Sequence, residues 1–124
     1  MTNTEWTTTT GLEQNAAMVA AKYTKMVFDS GDVTPSSTEP VNEVKRVTAT
    51  ATRTGQNIVW YAAITAGDFT SDTIIKAIWM ASETDGVSTY LACHKIAPQI
   101  VNASQGLGYE FPYTISGYLE DYDN

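Results

Sequence analysis

Hydrophobic positions follow two different periods along the chain, and the change falls near residue 23. Before that point, apolar residues recur at offsets of four, seven, eight and eleven, which matches one face of a helix with about 3.6 residues per turn. Thr10 and Glu13 have the spacing of a capping box, in which each satisfies the other's backbone N–H. The pattern predicts a short helix over residues 11–22. Its apolar face comprises Leu12, Ala16, Val19, Ala20 and Tyr23.

After residue 23 the period becomes two, which indicates strands. Residues 23–29 predict one strand, with Met26 and Phe28 on one face. Residues 44–66 predict a long hairpin that turns within the polar segment 54–57. The first arm of this hairpin has a threonine-rich face, whereas residues 58–64 are apolar on both faces. That second arm is typical of a strand buried between layers or against another subunit.

A second hairpin is predicted from residues 72–82 and 87–96, because Asp85-Gly86 between them tolerates positive φ. Residues 97–108 show little periodicity. Residues 109–121 alternate again and predict a last strand. Pro112 places that strand at a sheet edge, since proline removes a ladder donor.

Together these elements predict a mainly β fold of the α+β class: a small antiparallel β-sandwich of about five to six strands with one N-terminal α-helix. A chain of 124 residues is long enough for one core. We divide it into a flexible N-terminal leader, residues 1–10, and a single domain, residues 11–124.

Charge argues against several classes of partner. Seven basic and fourteen acidic side chains give a formal net charge of −7, which repels nucleic acid and anionic lipid. The sequence has no apolar run long enough to cross a bilayer and no signal-peptide pattern. We therefore expect a soluble protein without nucleic-acid or membrane partners.

Cys93 and His94 are the best candidates for a nucleophilic pair. Neighbouring residues of a strand point to opposite faces, so their side chains are expected to diverge. The alternative is a small buried cysteine with its histidine at the surface or at a strand end. A single cysteine also excludes an internal disulfide. We expect no catalytic residue, and hence no enzyme.

Asp29 and Asp32, with the acidic tail at residues 119–124, are the candidate oxygen ligands for a metal such as calcium. Their spacing does not follow a calcium-loop pattern. The simpler interpretation is a turn at residues 29–31 followed by an extended connection from Thr34-Pro35. The glycines lack the spacing of a phosphate loop. We expect no metal and no cofactor.

Large aromatic residues leave two interpretations open. Trp60 and Trp79 alternate within strands, which favours core or subunit packing over a sugar-stacking platform. Trp6 differs, because it lies in a polar, threonine-rich leader. Such a residue gains most by docking, either into its own domain or into a partner.

The order of these features resembles a known family. The matching stretches are "TGLEQNAAMVAAK", "YTKMVF", "DSGDVTPSSTEP" and "VNEVKRVTAT", followed by "FTSDTIIKAIWMASETDGVSTYLACHK" and "YEFPYTISGYLED". The chain resembles the N-terminal domain of bacteriophage tail-collar and tail-fibre proteins, and related baseplate-attached proteins of tailed phages and phage-like particles.

The resemblance implies a structural virion protein in the tail or baseplate, made in the host bacterial cytoplasm. Such domains attach a receptor-binding fibre or adaptor through interfaces with other tail, baseplate or fibre proteins, and generally assemble as trimers. The chain is then either a short adaptor or part of a longer fibre. Our candidate interface residues are Trp6, Asp32 and Pro35. The alternative function is a carbohydrate-binding β-sandwich that recognises host-surface glycans.

Overall fold

The computed structural model describes the backbone of residues 2–116 and 120–123, and side chains from residue 6 to residue 116. This part of the chain contains one helix and nine strands, which confirms a mainly β fold with an N-terminal helix. In chain order the elements are β1 (Thr2–Glu5), α1 (Thr9–Lys22), β2 (Lys25–Asp29), β3 (Glu43–Thr48), β4 (Thr50–Thr54), β5 (Asn57–Ile64), β6 (Thr73–Thr84), β7 (Val87–Val101), β8 (Leu107–Thr114) and β9 (Glu120–Asp123).

Seven of these strands form two antiparallel sheets. The larger has the order β3-β2-β6-β7 and the smaller has the order β4-β5-β8. β1 and β9 pair with each other as a separate antiparallel ribbon, with Thr2 opposite Asp123. The strand count therefore exceeds the predicted five to six.

The main core lies between the inner faces of the two sheets. α1 packs against β4 and β5 and contributes Ala16 to this core. Trp60 and Phe111 meet edge to face there, with ring centroids 6.2 Å apart. The buried side chains of the core are Ala16, Met26, Phe28, Ile58, Trp60, Ala62, Ile64, Ile75, Ile78, Met80, Val101 and Phe111.

α1 begins earlier than predicted, and a different threonine caps it. The Thr8 side chain accepts a hydrogen bond from the Gly11 N–H at 3.1 Å, and the Thr8 carbonyl accepts from Leu12 at 2.9 Å. The predicted box between Thr10 and Glu13 is wrong, because both residues lie within the helix. Several threonines precede the helix, and each is an acceptable N-cap residue.

The predicted long hairpin is divided between the two sheets. β3 pairs with β2 in the larger sheet, whereas β4 pairs with β5 in the smaller one. Only Ala49 separates β3 from β4, and its N–H donates to the Thr24 carbonyl at 2.8 Å. The turn at Gly55-Gln56 is confirmed, with φ of +60° at Gly55.

β5 is buried on one face only. Its inner residues are buried, from Ile58 to Ile64, and the outer residues between them are partly exposed. Tyr61, on this outer face, keeps 50% of its surface exposed. The prediction that the sheet is covered on both sides at β5 is therefore wrong for the single chain.

The second predicted hairpin is confirmed. Asp85 and Gly86 both adopt positive φ, at 52° and 77°, between β6 and β7. β7 extends to Val101, which is further than predicted. Its pairing with β6 shifts register between Ile75 and Ala77 and between Met80 and Ala81, and these shifts interrupt the alternation on which the prediction depended. β8 lies at a sheet edge, as Pro112 predicted.

Candidate functional site

Asp29 closes the loop of residues 30–42 at the end of β2. Its side chain is fully buried and accepts four hydrogen bonds. One carboxylate oxygen accepts from the N–H groups of Gly31 at 2.7 Å and Asn42 at 2.9 Å. The other accepts from the Val41 N–H at 2.9 Å and from the indole Nε1 of Trp79 at 3.0 Å. The loop is thus fastened at both ends to the larger sheet.

These hydrogen bonds determine the charge state of Asp29. Burial by itself raises the pKa of a carboxyl group, but the bonds from Gly31, Asn42, Val41 and Trp79 outweigh burial and lower the pKa. The group therefore stays ionised in the folded protein at neutral pH. The four N–H donors stabilise its negative charge.

The structure does not bring Asp29 and Asp32 together as metal ligands. Both oxygens of Asp29 are engaged by N–H groups, whereas Asp32 is exposed and pairs with Lys76 at 3.2 Å. Among the described side chains, those of residues 6–116, no group of three or more His, Cys, Asp or Glu has the arrangement to hold a metal ion. The tail side chains proposed as further ligands lie outside the described side chains. The turn interpretation of residues 29–31 is confirmed by the Gly31 hydrogen bond.

A cavity of about 560 Å³ lies between this loop and the outer face of the larger sheet. Val33, which is 4% exposed, anchors the loop against Trp79 and neighbouring residues of the sheet. The loop residues that line the cavity are Val33, Thr34, Pro35, Ser37 and Thr38; the sheet residues are Trp79, Tyr90, Leu91, Ala92, Cys93 and Lys95.

Arg46 holds Tyr90, one of the aromatic residues that line the cavity. Its guanidinium donates to Glu43 at 2.6 and 3.0 Å, to Glu83 at 2.6 Å, to Ser88 at 2.7 Å and to the Tyr90 hydroxyl at 3.0 Å. The hydrogen bonding of Arg46 to the Glu43 carboxylate is the largest reason why the pKa of Arg46 is raised. Tyr90 is consequently held in one position by a permanent cation.

Cys93 and His94 diverge, as predicted from the strand geometry. Cys93 lines the cavity, whereas the His94 ring stacks on Phe111 on the inner face, with centroids 3.6 Å apart and planes 2° from parallel. His94 Nδ1 also lies 2.8 Å from the Tyr109 hydroxyl. The prediction of a histidine at the surface or a strand end is wrong: His94 is half-buried between the sheets.

The environments of these two side chains do not favour a thiolate and imidazole pair. Burial, and then the charge of Asp29, raise the pKa of Cys93 to about 11. Burial lowers the pKa of His94. Both groups are therefore neutral at pH 7, and they contact different residues.

Two of the three candidate interface residues lie on the same loop. Asp32 and Pro35 are both exposed, and Pro35 lines the cavity. Trp6 is 63% exposed and lies elsewhere, between β1 and α1. Tyr90 and Arg46 were not predicted from the sequence, because their roles depend on a contact between residues more than 40 positions apart.

A second candidate surface is the outer face of the smaller sheet, which sequence analysis also missed. A Cβ atom placed on Gly108 would lie 2.7 Å from the Tyr61 hydroxyl and 3.3 Å from its ring. The Tyr61 side chain therefore lies next to Gly108, and half of its surface is exposed. We call this face the Tyr61 face; its strand positions are Thr50, Thr52, Thr54, Asn57, Val59, Tyr61, Ala63, Gly108, Glu110, Pro112 and Thr114.

Comparisons of the chain with protein-family models, with curated proteins and with solved structures found no match. The described helix is too short and too polar to cross a membrane. The fold and its surfaces define the class: a small, mainly β protein with two main antiparallel sheets, a loop-covered cavity and a partly apolar exposed sheet face.

Proposed function

We propose that this chain is a structural protein of a tailed phage or phage-like particle, a tail-fibre or baseplate adaptor that attaches a receptor-binding fibre to the tail. It acts through interfaces with other tail, baseplate or fibre proteins and with copies of itself, in a trimer. It works in the virion after synthesis in the bacterial cytoplasm. The proposal contains no catalytic step. Its support is the sequence resemblance together with the exposed apolar surface of the fold.

The Tyr61 face is the observation that carries this proposal. A regular sheet ordinarily covers its apolar positions, yet the central strand here leaves Val59, Tyr61 and Ala63 partly exposed. Polar threonines of β4 flank this apolar strip on one side. An apolar patch rimmed by polar residues is typical of a protein contact surface.

The experiment compares Tyr61→Lys with Val87→Lys. Both positions are exposed, Tyr61 on the sheet face and Val87 at the start of β7. Light scattering after size exclusion measures self-association, and co-purification with the tail proteins of the same particle measures attachment. We expect Tyr61→Lys to weaken one or both, whereas Val87→Lys leaves them unchanged. A wild-type chain that stays monomeric at high concentration and binds no tail protein contradicts the proposal.

A carbohydrate-binding function is the second candidate, and the exposure of Tyr61 favours it. An aromatic side chain that is 50% exposed beside a glycine leaves room for the C–H face of a sugar to stack on its ring. Hydroxyl groups of Thr50 and Thr52 lie on the same face and form hydrogen bonds with sugar hydroxyls in this proposal. A glycan array separates the two functions: binding by the wild type that Tyr61→Ala abolishes supports the glycan module.

A further inference from the structure

We propose that the cavity under the 30–42 loop receives the Trp6 side chain of a second copy of this chain. The inference rests on the self-association included in the proposed function and names the residues that join the copies. The cavity wall combines Trp79 and Tyr90, whose rings meet edge to face with centroids 5.6 Å apart. Aromatic walls of this kind favour an aromatic guest.

The cavity is already formed and rigid. Asp29 binds the loop above it with three hydrogen bonds and Trp79 of the sheet with a fourth, and Arg46 binds Tyr90 beside it. A site that needs no ordering on binding loses less free energy when it is occupied. A cavity that is already formed therefore favours a stable contact with the side chain that occupies it.

The cavity lies at the edge of the larger sheet. Five of its lining residues fall between Tyr90 and Lys95 of β7, the last strand in the order β3-β2-β6-β7. A threonine-rich extended segment suits such an edge, because threonine favours strands and an edge strand offers backbone hydrogen bonds. β1 (Thr2–Glu5), directly before Trp6, is an extended segment with two threonines, and its pairing with β9 uses one of its two edges.

Charge supports the same occupant. Lys95 is the basic residue among those that line the cavity, in a chain with a net charge of −7. Glu5 immediately precedes Trp6 in the sequence. A leader that inserts Trp6 brings an acidic residue toward Lys95, which complements its charge.

The occupant comes from another copy because the chain's own Trp6 is tethered on the other side. Trp6 is two residues before the Thr8 cap, a backbone reach of about 7 Å. α1 packs against β4 and β5 of the smaller sheet, whereas the cavity opens on the outer face of the larger sheet. Trp6 is also 63% exposed, and is thus available to a neighbour.

The first test is sedimentation equilibrium of the wild type, Trp6→Ala and Met18→Ala. Met18 is the matched control, since it is an exposed apolar side chain of α1 at 69%. Removing a central aromatic anchor typically weakens an interface by at least about 30-fold. We expect that loss for Trp6→Ala and no change for Met18→Ala. Equal association of the wild type and Trp6→Ala, or a monomeric wild type, overturns the inference.

The second test uses a fluorescent synthetic peptide of residues 2–10 and full-length Trp6→Ala protein. We expect anisotropy to report binding of this peptide, with at least about 30-fold weaker binding of the same peptide carrying Trp6→Ala. Thr38→Trp in the protein fills the cavity from an exposed loop position and should abolish binding. No binding, or binding unaffected by Thr38→Trp, overturns the inference. If self-association persists in Trp6→Ala but fails in Tyr61→Lys, this inference falls and the proposed function stands.

Discussion

The carboxylate of Asp29 accepts a hydrogen bond from the indole nitrogen of Trp79, 50 residues further along the chain, at 3.0 Å. This buried bond joins the start of the 30–42 loop to the centre of the larger sheet. The same carboxylate binds the far end of the loop at Val41 and Asn42. A single side chain thus links both ends of the loop to the sheet that the loop covers.

Asp29→Asn should destabilise the fold strongly. The amide nitrogen of asparagine is a donor and cannot accept a hydrogen bond. It would replace one carboxylate oxygen, so two of the N–H groups that now bind Asp29 would lose their acceptor. We expect a loss of about 2–4 kcal/mol in the free energy of unfolding. Urea denaturation followed by circular dichroism measures it. Asp32→Asn is the control, because Asp32 is exposed, and should change stability by about 0.5 kcal/mol or less. Equal effects of the two variants would contradict the role of Asp29.

Asp29 also predicts a loss of stability in acid. Its pKa is lower in the folded state than the ordinary 3.8, so its contribution is complete above that value. The contribution is lost as the pH falls through the folded pKa, because the carboxyl group then becomes protonated. Thermal melts between pH 5 and pH 2 should show a steeper decline for the wild type than for Asp29→Asn. Parallel declines would show that other carboxylates account for acid unfolding.

His94 predicts a second pH effect, at higher pH. Burial lowers the pKa of His94 below its ordinary 6.5, so below that pH the unfolded chain takes up a proton that the folded chain does not. Stability should therefore fall as the pH decreases from 7 to 5. His94→Phe keeps an aromatic ring against Phe111 and removes the titration, so its stability should vary less over this range. Denaturant midpoints at each pH measure the difference.

Cys93 should react slowly with alkylating reagents. Its pKa of about 11 lies two units above the ordinary 9.0, so near pH 8 the thiolate fraction is about 100-fold smaller than in an unperturbed thiol. The rate of iodoacetamide modification, followed by mass spectrometry, should rise with pH through about 11 if the protein remains folded. A small unstructured cysteine peptide is the reference. A rate equal to that of the peptide at pH 8 would contradict the raised pKa of Cys93.

Two glycines close together in the chain should respond differently to alanine. A Cβ on Gly106 collides with the backbone carbonyl of Ile64, whereas a Cβ on Gly108 meets the movable Tyr61 side chain. We expect Gly106→Ala to cost about 1–3 kcal/mol, because backbone has to shift, and Gly108→Ala to cost about 1 kcal/mol or less. Thermal denaturation compares them. Similar costs would mean that the Tyr61 ring cannot move aside.

Local pattern predicted most of the fold, because alternation and turn chemistry act over a few residues. The hairpin at Asp85-Gly86 and the edge placement of Pro112 follow from such local rules. The change of sheet at Ala49 does not, since the alternation of alanine and threonine continues unbroken through it. The register shifts of β7 likewise depend on its partner strand, so the sequence near residues 97–101 showed no clear period.

The candidate sites were less predictable than the fold, for the same reason. The segment "DSGD" indicated a turn, and Asp29 indeed binds Gly31. Its bonds to Val41 and Trp79 join distant parts of the sequence, and no local pattern encodes them. Tyr61 was placed on a covered face because its strand is apolar throughout. Its exposure depends on whether another layer of the fold covers the outer face of the smaller sheet, and the alternation of apolar and polar residues does not specify this.

Ala49 has a mechanical consequence. The backbone passes from β3 of the larger sheet to β4 of the smaller sheet through this one residue, so a one-residue connection joins the two sheets. A pulling force applied to one sheet is therefore transmitted directly to the other, with no flexible loop between them. Extra glycines between β3 and β4 should therefore reduce the force at which the two sheets unfold together.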